Sequence, residues 1–174
     1  MKQTLLAFLA MAIFSLLSFT QQRAALRFHG QVYGRDIERA AMDFALERMS
    51  EIESKAFDEA DLTAPELRVN IAGLTGNIGP DTDELGPLAF DDIDDYDGYE
   101  SPFVHVFNEA EYAFNLAIDV TYVSLSDPSV ALTSGASLAK EVALHVTEQT
   151  PAGERAPVTV TLKRTMSPAG LFLH

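Results

Sequence analysis

Between Asp81 and Glu100 the chain carries nine carboxylates and no lysine or arginine, with a dense centre at Asp91-Asp92-Ile93-Asp94-Asp95-Tyr96-Asp97-Gly98. Like charges this close repel unless they splay into solvent or gather around a cation. Calcium suits such a group, because it accepts six to eight oxygens in flexible geometry. The spacing is not that of an EF-hand. Setting Gly98 at the invariant glycine of that loop puts Ile93 at its first ligand position and Val104 at its last. The candidate Ca²⁺ ligands are Asp92, Asp94, Asp95 and Asp97; the alternative is a solvated or strand-pairing acidic loop.

Other chemistry is sparsely provided. The four histidines (His29, His105, His145 and His174) stand apart, with no His-x-x-x-His or Glu-x-x-His spacing. There is no Gly-x-Ser-x-Gly elbow, phosphate-cradling glycine loop or dinucleotide fingerprint. Thr133-Ser134-Gly135-Ala136-Ser137 reads as a strand connection, and no base or oxyanion donor accompanies the acidic loop. With no cysteine, neither a disulfide nor a thiolate metal site can form. The expectation is a protein that is not an enzyme.

Charge divides the 174 residues unevenly. Residues 1–60 hold seven Lys/Arg against eight Asp/Glu, and residues 61–174 hold five against eighteen, a net of -13. Phosphate binding needs cationic side chains to displace counterions, so such a head repels nucleic acid.

The elements that must carry this head begin with 17 uncharged residues, Thr4 to Thr20. Leu5, Leu9, Ile13, Phe14 and Leu17 typify them. As helix they span ~25 Å, at the short end for a bilayer core of ~30 Å, and continued helix or a snorkelling Arg23 would cover the shortfall. Lys2 and the free amine place the N-terminus in the cytoplasm and the C-terminal head outside it. A cleaved signal peptide is the rival, with Ser18-Phe19-Thr20 the nearest approach to a cleavage site.

Ile37, Ala40, Ala41, Phe44, Ala45 and Ile52 then recur at three- and four-residue steps, the helical period. Arg35, Arg39, Asp43, Glu47, Glu51 and Lys55 form the opposite ridge, with Arg39–Asp43 and Glu51–Lys55 as expected i,i+4 pairs. Gly30 and Gly34 interrupt the helix former run, as a hinge or as a place of close helix approach. After Pro65 the period changes to two. Leu67, Val69 and Ile71, then Phe114 to Tyr122, then Val142, Leu144 and Val146, then Val158, Val160 and Leu162 predict four strands of an antiparallel sheet. The expected architecture is α+β: a transmembrane anchor (1–22), an amphipathic stalk helix (23–60) and an antiparallel head (61–174) with its acidic loop at 81–100.

These parts resemble type IV pilin-like proteins, the minor pilins and pseudopilins. Gln3-Thr4-Leu5-Leu6 and the apolar run after it look like the start of a mature pilin. Ala45 to Glu59 is similar to the end of the pseudopilin stalk helix, which closes on a Phe-Asp-Glu-like corner at Phe57-Asp58-Glu59. Phe90 to Tyr99 looks like the acidic motif of minor pilins of the mannose-sensitive haemagglutinin D type, and Ala139 to Val146 fits the same group. Lys2, Gln3 and Ala7 stand where the family has its leader glycine, its aromatic first residue and its glutamate. The resemblance implies a structural subunit of the inner membrane, single-pass, whose partners are other pilin-like subunits packed through the N-terminal helix. A type IV pilus or a type II secretion-like filament would be its setting. The alternative is a solitary anchored or secreted protein whose acidic head binds Ca²⁺ or a cationic partner.

Overall fold

A computed structural model describes residues 2–58, 86–107, 109–150 and 156–168, together with scattered positions from 71 to 84. The side chains of 2–10, 26–31, 33, 107 and 110 lie outside the described set. The protein is α+β, with a helix, α1 (Lys2–Glu53), and a four-stranded antiparallel sheet. Two units divide it, Met1–Ile37 and Glu38–His174.

In the first unit the described part of the apolar run is exposed. Met11, Ile13, Phe14, Leu16, Leu17 and Phe19 each keep half or more of their surface in solvent, 72% for Phe14. The side chains of Leu5 and Leu9 lie outside the described set. The backbone stays helical through both Gly30 and Gly34, and a Cβ added at Gly34 would meet nothing within 4 Å. Among the described residues no helix is apolar enough over a sufficient length to cross a membrane.

The second unit holds the core. Its share of α1 is built from strong helix formers (Ala, Glu, Met, Arg and Leu) and turns Ala40, Ala41, Phe44, Ala45, Met49 and Ile52 inward. Ser54 and Lys55 close the end with i→i+3 backbone bonds to Glu51 and Ile52. Helix geometry therefore stops short of Lys55, and the expected Glu51–Lys55 pair gives way. Glu51 instead pairs with Arg48, and Lys55 Nζ donates to the Phe90 carbonyl at 2.6 Å.

The strands are β1 (Glu100–Phe107), β2 (Ala110–Tyr122), β3 (Lys140–Glu148) and β4 (Thr159–Met166), in spatial order β1-β2-β3-β4. Each pairs antiparallel with the next, Phe103 opposite Phe114 and Ile118 opposite Leu144. Alternation in β2 buries Tyr112, Phe114, Leu116, Ile118, Val120 and Tyr122. The Phe44 ring stacks on Phe103, which lies 5.4 Å from Phe114, so the helix meets the sheet through aromatic layers.

Three of the four expected strands are present as β2, β3 and β4. Of the other, 67–70 lies outside the described residues, and Ile71 is exposed and in no strand. Strand β1 takes an edge instead, which accommodates Pro102 and leaves Val104 and Val106 exposed.

Candidate functional site

The acidic motif folds inward. Asp92, Asp94 and Asp95 are 3–5% exposed, against the usual behaviour of aspartate. Burial on this scale requires partners for the carboxylates, and the local backbone supplies several of them.

Asp92 Oδ1 accepts the N–H of Asp94 at 2.9 Å and of Asp95 at 3.3 Å, which starts a 3-10 turn at Asp94–Tyr96. Asp95 Oδ2 reaches back to the N–H groups of Asp91 and Asp92, both at 3.0 Å. Asp97 Oδ1 accepts the Val120 N–H at 2.8 Å, tying the turn to β2. Gly98 follows with φ +70°, the left-handed conformation that favours glycine, and its N–H donates to the Ile118 carbonyl. On the other side Ala56 and Asp92 form a parallel bridge, with Ala56 N–H on the Asp91 carbonyl and Ile93 N–H on that of Ala56. Asp92, Asp95 and Asp97 thus shape the backbone around them, and the segment pairs with Ala56 on one side and β2 on the other.

Lys140 supplies the counter-charge. It is fully buried, and Nζ lies 2.5 Å from Asp94 Oδ1, 2.6 Å from the Phe57 carbonyl oxygen and 3.5 Å from Asp58 Oδ2. The faces of Phe57 and Tyr122 enclose it, with ring centroids at 4.6 and 5.1 Å. Asp58, itself wholly buried, accepts the Tyr122 hydroxyl at 3.1 Å. Burial above all, then the hydrogen bond and the charge of Asp94, push the Asp92 carboxyl up to about 8, while Lys140 pulls it down. Burial and the neighbouring Asp58 likewise hold the Tyr122 phenol well above its usual range.

Sequence reasoning named the aspartates and missed Lys140 and Asp58 as their partners. The signal for Lys140 was its phase: it shares the parity of Val142, Leu144 and Val146, whose side chains all point inward. For Asp58 it was the acid that follows Phe57 where the helix closes.

The four candidate metal ligands do not converge as one set. Among the described residues, the carboxylates with oxygens within 4.8 Å of one another belong to Glu84, Asp91 and Asp95, so Asp95 is the one expected ligand among them. Asp92 and Asp97 are committed to backbone N–H groups, and Asp94 to Lys140.

Beside the motif lies a cavity of about 270 Å³ between the helix end and the sheet, lined by Phe44, Arg48, Ile52, Tyr96, Phe103 and Leu116 among others. The Tyr96 hydroxyl is buried with no hydrogen-bond partner among the described residues, and burial pushes it up to about 12. His145 faces outward as its phase predicts, beside Asp119 and Thr161.

Compared with protein-family models, curated proteins and solved structures, the chain matches none.

Proposed function

We propose that the protein is a non-enzymatic structural subunit of the minor pilin or pseudopilin kind, held in the inner membrane by its N-terminal helix and assembled through that helix into a filament. The observation that carries this reading is the exposed apolar stretch of α1. Six large apolar side chains from Met11 to Phe19 lie in solvent, and in sequence the run extends back to Thr4. A patch of this kind marks a membrane or protein contact. The pilin-like sequence at Gln3–Leu6 and Phe90–Tyr99 points to like subunits as the contact.

Phe14→Asp tests it. The substitution places a charge in the apolar stretch, at roughly 3 kcal/mol in a bilayer centre. Membrane retention and incorporation into filaments both fall to background, while the soluble head keeps its circular dichroism. Filaments that take up the variant at the normal level would refute the proposal. A second reading, a solitary anchored protein whose acidic head takes up Ca²⁺, draws on the Glu84, Asp91 and Asp95 group. It expects membrane retention without neighbours of its own kind.

A further inference from the structure

Lys140, Asp94 and Asp58 are arranged as reactants as well as an ion pair. A buried amine faces a buried carboxyl at 2.5 Å, with a second carboxyl at 3.5 Å and two aromatic faces shutting out water. A desolvated ion pair is a weak source of stability. Condensation would turn two buried charges into one neutral amide. Contact between the groups supplies the proximity that makes such intramolecular reactions fast, and the dry surroundings disfavour the reverse hydrolysis.

We propose that Lys140 Nζ and the Asp94 side-chain carboxyl condense to an isopeptide bond, closing residues 94–140 into a covalent loop. Nζ donates to Asp94 and to the Phe57 carbonyl, and Asp58 Oδ2 lies 3.5 Å from it as the second carboxylate. One proton passes to the Asp94 carboxyl, and the lone pair of the neutral amine forms the bond to Asp94 Cγ. The nitrogen, now positively charged, gives a second proton to Asp58. The tetrahedral centre loses one carboxyl oxygen, which departs with the C–O electron pair and, once Asp58 returns its proton, leaves as water. The amide nitrogen keeps the hydrogen directed at Phe57. The Asp92 carboxyl, hydrogen-bonded to that of Asp94, donates to the charge that develops on the other oxygen. No oxidant, cofactor or added acid is consumed. The inference stands apart from the filament proposal, since it concerns only groups inside the head.

Peptide mapping of the full-length protein tests it. Trypsin acting on the denatured chain cuts after Arg68, Lys140 and Arg155, so an unlinked molecule yields separate peptides 69–140 and 141–155. An acylated Lys140 resists cleavage. The expected product is one species spanning 69–155, lighter than its sequence by one water, whose fragmentation joins residues 94 and 140. Dehydration at Asp97-Gly98 would remove the same mass but leave Lys140 cleavable, and it would count against the proposal. Full-mass 69–140 and 141–155 from folded protein would overturn it. In Asp58→Asn, which keeps the shape and loses the proton acceptor, the unlinked pair becomes the main product. A variant with wild-type linkage would overturn the role given to Asp58.

Discussion

The aspartates of the 92–95 turn and the apolar residues from Met11 to Phe19 invert the usual order of a protein in opposite senses. One region buries charge, the other exposes hydrocarbon. The buried charge has its partner within the chain, in Lys140, the Phe57 carbonyl and the backbone N–H groups of its own turn. Nothing comparable covers the exposed hydrocarbon of the described stretch. An inversion satisfied internally needs no further partner, whereas the one left open is the ground for proposing a contact through the helix.

The sharpest way to break the comparison is to remove the internal partner. Lys140→Met leaves Asp94 buried without its partner, whether ionic or covalent, and costs about 3–5 kcal/mol, read as a lower urea midpoint. A midpoint within experimental error of the wild type would show that the motif carries its own charge without help.

A middle-sized effect follows from Asp92. Its carboxyl sits at about 8 in the folded protein against an ordinary value of 3.8. The folded state therefore binds the extra proton between these values. The Asp92 contribution is at its best below the ordinary value, declines as pH rises towards 8, and is fully lost above it. Asp92→Asn keeps the oxygen that accepts the Asp94 and Asp95 N–H groups and removes the charge. The variant is expected to gain on the wild type at pH 8 and much less at pH 5, by paired urea titrations. Equal differences at the two pH values would contradict the assignment.

The smallest effect is at Tyr96. Its hydroxyl is buried without a partner among the described residues, so Tyr96→Phe is neutral or stabilising, by no more than about 1 kcal/mol. Thermal denaturation decides this, and a clear loss of stability would reveal a partner for that hydroxyl.

Much of the head was legible because its strands bury one face. Period-two alternation marks β2, β3 and β4, and period 3.6 marks the inward face of Ala40 to Ile52. Strand β1 was not legible, because an edge strand has little to bury: Val104 and Val106 point outward and Pro102 breaks the pattern. The acidic motif was visible as composition, but its internal pairing was not. Nine carboxylates read as a surface or a cation site, and the turn they build depends on a lysine more than forty residues along the chain. Pairing across that distance leaves no local trace. Glu51–Lys55 failed for a simpler reason, since an i,i+4 rule holds only while the helix lasts.

The central claim is that the exposed apolar stretch meets neighbours of the same kind. A photo-reactive amino acid at Phe14, irradiated in producing cells, tests it directly. The account predicts a membrane-bound ladder of adducts joining this helix to the N-terminal helices of pilin-like chains. Membrane-bound monomer without adducts would favour the solitary Ca²⁺-binding reading, and protein free in the soluble exported fraction would contradict the claim outright.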